Sequence, residues 1–413
     1  MLGEPNFRRF FLGRTASLIG DGMAPVAIAF AVLDLTGSAT DLGLVLAAHS
    51  IVITALVLVG GVVADRVSPR LSMLRADLVS TASTGIIAVL LLTGIAEIWQ
   101  LAVLYAIAGG ATAFFNPASN AIVPQVVPSA RLQEATALLN VSRNGGKIVG
   151  PALAGVLLAL GSPGAALAVD AATFAVSAAC LAGVRAPRLR DAAADSAFLA
   201  ELRHGWHEFS SRDWLVAVVL SAAISNALFF SSFQVLGPTV AKEALGGSSS
   251  WALIAALWGA GGMLGGVLAL VVRPRRPLLL GEVIIVLLGA PIALLAIPAA
   301  TVVIAAGALV AGTTIGLAVV LYETTLVEQI PQQALSRVLA YDWFGSLALE
   351  PLGLVFVGPL AAGIGVSTYL VLAAALITVC QLAVLLVPGV RHLERNPAAG
   401  GVTPHLRPVE AGD

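Results

Sequence analysis

The sequence predicts an all-α, polytopic membrane protein with twelve transmembrane helices, arranged as two pseudo-symmetric bundles of six. Three observations carry that reading. Hydrophobic residues make up 58% of the 413-residue chain and charged residues 11%, against roughly 25% charged in a soluble domain. The apolar residues are gathered into twelve runs, each long enough to cross about 30 Å of hydrocarbon at 1.5 Å per residue. That many runs cannot all hide in a water-soluble core. Finally, markers in the first half return in the same order in the second. The runs lack the sustained polar–apolar alternation of a transmembrane β-barrel.

In chain order the runs lie at about 12–34, 41–63, 71–93, 98–118, 135–159 and 164–184, then 213–236, 250–272, 277–298, 301–322, 337–361 and 365–387. The run after Arg14 has no clear cleavage site and is followed directly by further spans, so it reads as a retained first helix rather than a signal peptide. Residues 1–184 form the first bundle, 185–212 a polar cytoplasmic connector and 213–388 the second bundle. A Pro- and Gly-rich tail, flexible from Pro388 onward, completes the chain at 389–413. Within the connector, Phe198, Leu202 and Trp206 share a spacing that suits a short helix on the membrane surface; a plain link between bundles is the simpler reading.

The positive charges set the orientation. With the N-terminus inside, nineteen of the twenty-two Arg and Lys residues fall in the tails, the connector and the even-to-odd loops, and only Lys242 is left for the opposite side. Such a bias across short loops places both termini in the cytoplasm and the protein in the plasma (inner) membrane. The net charge of −1 argues against a nucleic-acid partner.

The repeat is concrete. GGVVADRVSPR at 60–70 aligns with GGVLALVVRPR at 265–275, each closing the second helix of its half. VPSARL from Val127 has its counterpart in IPQQAL from Ile330. Inside the fifth helix of each half stands GPxxxG: Gly150, Pro151 and Gly155, then Gly358, Pro359 and Gly363. Repeated bundles are the usual basis of alternating access, with a substrate site where they meet.

These residues resemble the major facilitator superfamily. The segment LIGDGMAPVAIAFAVLDLTGSATDLG from Leu18, FFNPASNAIVPQVVP from Phe114 and VDAATF from Val169 are similar to its branch of drug, macrolide and siderophore exporters. The resemblance spans residues 7 to about 388. Gly61, Asp65, Arg66 and Arg70 match the family's signature after the second helix, and the resemblance implies a gate in which the acid latches against the start of the eleventh helix, where free amides favour an anion. Val67 and Ser68 stand where the family has glycine, and in the second half Leu270 replaces the acid, so the gate is expected in the first copy only. Asp65→Asn is therefore expected to lower transport while leaving expression and folding intact; wild-type turnover in a transport assay would reduce the loop to an orientation signal. GPxxxG resembles the family's exporter-associated signature, and Gly146 and Gly150 let a neighbouring helix approach closely.

Ionisable groups at bilayer depth are costly unless paired or facing a polar cavity. Asp21, Lys147 and Glu350 each fall near the middle of a predicted helix, and Arg143 one turn from Lys147. Asn140, Arg143, Asn144 and Lys147 follow i, i+3, i+4, i+7 spacing, a polar stripe expected to face a central cavity. The reading is that Asp21 and Glu350 carry protons or oppose substrate charge, with Lys147 switching between them; a structural ion pair is the plainer reading of Asp21. Asp342 is expected to pair with loop arginines at the gate, and Asp170 to be a packing residue. His49, Asn226, Phe230, Gln234 and Trp343, with Phe229 and Tyr322, are candidate cavity residues, since an aromatic and amide face suits a bulky amphipathic compound.

No glycine-rich phosphate loop, metal-ligand spacing, catalytic nucleophile or cofactor motif is found. The expected function is export of a lipophilic or amphipathic small molecule by proton antiport, by a monomer whose partners are that substrate, protons and the lipid bilayer. A lysophospholipid or nutrient carrier is the rival within transport, and a non-transporting membrane sensor or scaffold the rival outside it. A polar cavity holding Asp21, Lys147 and Glu350 together favours transport; a sealed interior favours the scaffold.

Overall fold

The computed structural model describes residues 3–66, 68–184, 206–297 and 299–395, without the side chains of 57–66, 332, 333 and 336. The side chains of Asp65 and Arg66 and the surroundings of Gly61, and with them the acid-dependent latch, therefore lie outside what is described, as does most of the connector. The first half comprises α1 (Pro5–Thr36), α2 (Ala39–Arg66), α3 (Pro69–Thr93), α4 (Ile98–Val126), α5 (Leu132–Leu160) and α6 (Pro163–Ala182). The second comprises α7 (Asp213–Ala244), α8 (Ser248–Val271), α9 (Pro277–Ala296), α10 (Thr301–Gln329), α11 (Gln332–Leu347 and Glu350–Ile364) and α12 (Val366–Val384), then a short α13 (Pro388–His392). The chain is a multi-pass, all-α membrane protein. Eleven of these helices, among the described residues, are long and apolar enough to cross a membrane. The other long helix, α5, has 29 residues and owes its lower apolarity to the polar stripe.

Local chemistry sets the helix ends. Pro69, Pro163 and Pro277 open α3, α6 and α9, where a missing N–H costs nothing. Gly37 and Gly94 close α1 and α3 with φ of 66° and 74°, a left-handed conformation that only glycine adopts cheaply. In the second half, prolines reshape three helices. Pro238 cannot donate to the carbonyl of Gln234, and Ser232–Leu236 widens into a π segment. Pro291 follows a tightened 3-10 segment, Val286–Gly289. Pro351 opens the second segment of α11 just after a break at Ala348–Leu349.

Two expectations are corrected. The first helix begins at Pro5, seven residues earlier than expected, which moves Arg14 from the end of the helix into its body. The start of the tail is docked rather than loose: Arg276 meets Glu394 at 3.3 Å, Arg395 meets Glu328 at 3.6 Å, and the Arg395 amide donates to the Arg275 carbonyl at 2.9 Å.

The halves touch along two seams, α5 against α8 and α2 against α11. Glycines make the approach possible. A methyl group on Gly259 of α8 would lie 2.8 Å from the carbonyl carbon of Lys147, and one on Gly358 of α11 would lie 2.6 Å from the amide nitrogen of Thr40. A methyl group on Gly363, by contrast, would meet no described atom within 4 Å, whereas one on Gly155 would press on Ala252, so the last glycine of the GPxxxG repeat is matched in sequence and not in contact.

The core is unevenly shared. At the face of the odd-to-even loops, a single apolar core joins both halves, from Met23–Leu33 of α1 and Leu42–Ala47 of α2 to Phe229, Trp251 and Leu354. At the face of the even-to-odd loops it divides in two, one around Phe7, Phe10 and Ile122 and one around Trp214, Leu326 and Val338. On the joined face Lys242 at the end of α7 donates to Asp34 Oδ1 at 2.6 Å and to the Leu33 carbonyl at 2.7 Å, bridging the halves.

Candidate functional site

Three adjoining lobes of space, sharing lining residues, lie between the halves and within the first bundle. The largest two are each about 600 Å³ and the third about 280 Å³. They share walls: Asp21, Pro25 and Lys147 line the first and second, His49, Tyr105 and Trp343 the second and third, and Gln234 the first and third.

The first lobe is amphipathic by construction. One wall is aromatic: Phe230, Phe233, Trp251 and Trp258, held by ring contacts such as Phe233–Trp251 at 4.6 Å and Phe229–Trp258 at 4.7 Å. The π segment of α7 turns Phe233 and Gln234 toward this space. Opposite stand Asp21 of α1 and Asn144 and Lys147 of α5. The lobe runs along α8 and α10 as far as Gly266 and Val320. Burying the flat apolar part of a ligand on the aromatic side while fixing a polar group on the other is what such a geometry does.

Asp21 is paired, but with Arg14 rather than Lys147. The Arg14 guanidinium lies 3.7 Å from Asp21 Oδ2, donates to Asn116 Oδ1 at 3.4 Å, and stacks over the Phe115 ring at 4.7 Å. Seven residues apart on α1, the two side chains are two turns apart on one face, and Arg14 reaches back to the acid. Asp77 of α3 lines a small internal cavity together with Arg14 and Asp21, is 1% exposed, and has no hydrogen-bond partner at Oδ2 among the described residues. Asp170 is equally buried, beneath Gly20 and Thr173. Arg14, Asp77, Asn116 and Tyr105 were not candidates from the sequence. Asp77 with Ser80 and Thr84, and Asn116 with Thr112, Ser119 and Asn120, follow helical spacing, a signal the sequence held. Arg14 looks like a topology anchor, and Tyr105 is a single polar residue in an apolar run, whose facing depends on packing. Glu282 of α9, also buried, was missed for that reason.

The remaining candidates divide. His49 stacks on Tyr105 at 4.1 Å and its Nδ1 is 2.9 Å from the Tyr105 carbonyl. With Trp343 and Glu350 it lines the third lobe, Glu350 standing in the first turn after the break in α11. Arg143 lines the second lobe. Asn226 is not at the cavity wall: its amide donates to the Ser346 carbonyl at 3.1 Å, one of the acceptors left open where α11 breaks. Asn140, a turn nearer the even-to-odd face, also lies beyond the lining. Asp342 accepts from the Tyr322 hydroxyl instead of meeting Arg70. Arg70 donates to the carbonyls of Leu181 and Ala182 at 2.8 and 2.6 Å, at the end of α6. Gly146 and Gly150 face α1, Pro151 the cavity, and Gly155 faces Ala252 of α8. Among the described residues no group of His, Cys, Asp and Glu is placed to hold a metal ion.

The model of the Major Facilitator Superfamily matches residues 10–349. The chain belongs to that superfamily. As a major facilitator it is 25% identical over 397 residues to macrolide efflux protein A of Streptococcus pyogenes, covering 94% of this chain and 97% of that one. It is 28% identical over 391 residues to the multidrug efflux pump Tap of Mycolicibacterium fortuitum, covering 91% and 94%. Among solved structures, the nucleoside transporter NupG matches with a TM-score of 0.72 at 14% identity, over 94% of this chain and 99% of its own. A bacterial homologue of the human lysosomal transporter Spinster, inward-facing and occupied, matches with 0.72 at 14%, over 95% and 98%. At those identities the likeness shows the major facilitator fold.

Proposed function

We propose that this protein exports a lipophilic or amphipathic small molecule across the plasma membrane, in exchange for protons, by alternating access. The observation that carries the reading is the central space, an aromatic wall facing a charged helix, bounded by both halves and backed at one face by their shared core, which among the described residues divides in two at the other. On this reading the positive-rich loops lie in the cytoplasm, the face of the shared core is external and the arrangement is inward-facing. Rocking the bundles would bring the two cytoplasmic cores together and part the shared one. Asp21 and Glu350, acids opening on adjoining lobes, are the proton carriers of this reading, and the turn bearing Gly61, Asp65, Arg66 and Arg70 its cytoplasmic gate. Export is supported by the efflux names of the two relatives that align over almost the whole chain.

The test is made in energised inverted vesicles whose interior is acid. Adding a substrate from a panel of macrolides, lipophilic cations and lipophilic anions is expected to dissipate the pH gradient, seen as recovery of acridine orange fluorescence. Accumulation that survives collapse of the gradient would remove proton exchange. A complete lack of accumulation across the panel would remove export.

A further inference from the structure

The charges around the cavity are not balanced where a ligand would sit. Arg143 and Lys147 lie four residues apart on one face of α5, both exposed toward the cavity, and neither has an ion-pair partner among the described residues. Like charges at that spacing repel, and cations at membrane depth are costly without a counter-charge. The acids nearby are committed or set apart. Asp21 is held by Arg14 at 3.7 Å, Asp170 is buried beneath Gly20 and Thr173, and Glu350 opens on the lobe of His49 and Trp343 rather than on the aromatic one. The aromatic lobe thus holds one acid, Asp21, engaged by Arg14, and one cation, Lys147, with no ion-pair partner among the described residues; Arg143 stands a turn away on the second lobe.

We infer that this cavity takes an amphipathic anion, its carboxylate or comparable acidic group between Lys147 and Arg143 and its flat apolar body against Phe230, Phe233, Trp251 and Trp258. The inference rests on the transport reading and narrows its substrate class. The position of Lys147 is fixed on both sides: α8 passes its backbone at Gly259, and Pro151 follows one turn on in the same lobe. A long flexible ammonium on a rigid stem is suited to acids of differing shape, whereas the aromatic wall selects for ring systems.

The full-length protein in zwitterionic nanodiscs, titrated with 1-pyrenebutyrate and with the matching pyrenebutyl trimethylammonium, provides the test. Energy transfer from tryptophan to pyrene reports occupancy, with empty discs as background. The anion is expected to bind about tenfold more tightly than the cation, and Lys147→Gln to weaken the anion about tenfold while sparing the cation, as for loss of one charge-assisted contact. Lys147→Arg should retain anion binding, and a thermal melt verifies that each variant is folded. Tighter binding of the ammonium, or an anion affinity indifferent to Lys147→Gln, would overturn the anion assignment and leave the transport reading standing. Binding of neither probe above background would overturn both.

Discussion

Asp21→Asn is expected to abolish proton-driven accumulation and to lower stability by about 1–3 kcal/mol. Removing one partner of an enclosed ion pair costs about 3–5 kcal/mol, because the other charge stays buried. Here the Arg14 side chain is 9% exposed but Asp21 is 41% exposed to the cavity, so water already screens part of the attraction and the lower range applies. Asn116, the Phe115 ring and Asp77 remain around Arg14 and soften the loss further. The double variant Asp21→Asn, Arg14→Met removes both charges and should recover the melting temperature without recovering transport. Thermal melting and the acridine orange assay read the two effects separately. If the double variant regains proton-driven accumulation, Asp21 is not the carrier and the pair is structural.

Gly150→Val is expected to disable the protein more severely, through packing alone. A methyl group there would lie 2.6 Å from the Cα of Gly22 and 2.7 Å from the carbonyl oxygen of Ile19, both backbone atoms of α1 that cannot swing aside. Gly146 meets the Leu18 carbonyl oxygen at 2.6 Å in the same way. Overpacking of this kind costs about 1–3 kcal/mol or more, and a separation of α1 from α5 would also displace Asp21 from Lys147 across the cavity. Gly145→Ala is the matched control, one residue away with nothing within 4 Å, and should melt and transport as wild type. Equal behaviour of the two variants would show that the glycine does not set the α1–α5 spacing.

The span pattern and the α5 stripe were legible because both depend only on periodicity: apolar length for the spans, 3.6 residues per turn for the stripe. Arg143, Asn144 and Lys147 line the lobes, with Phe230 and Gln234 from α7. What was hidden is what packing decides. Arg14 reads as an anchor until α1 is seen to begin at Pro5. Glu282 has no periodic company in its helix, whereas Asp77 shares helical spacing with Ser80 and Thr84, a stripe that was there to be read. Asn226 shares the spacing of Phe230 and Gln234, yet a break in α11, opened by Pro351, exposes a carbonyl that takes its amide. The partner of Asp21 was misjudged for a simpler reason, since an arginine seven residues away on the same helix reaches the acid.

The bridge from Lys242 to Asp34 sits at the rim of the sealed face, 36% and 53% exposed. A contact so wet is worth at most about 1 kcal/mol, and ions weaken it within a Debye length of about 8–10 Å. The closed rim therefore depends on the oily interior beneath it, and the bridge can bias the equilibrium between states by no more than about fivefold. In the orientation proposed above, this rim is a point where the salinity of the medium outside, independent of cargo or proton supply, trims how long the binding chamber stays turned toward the cell.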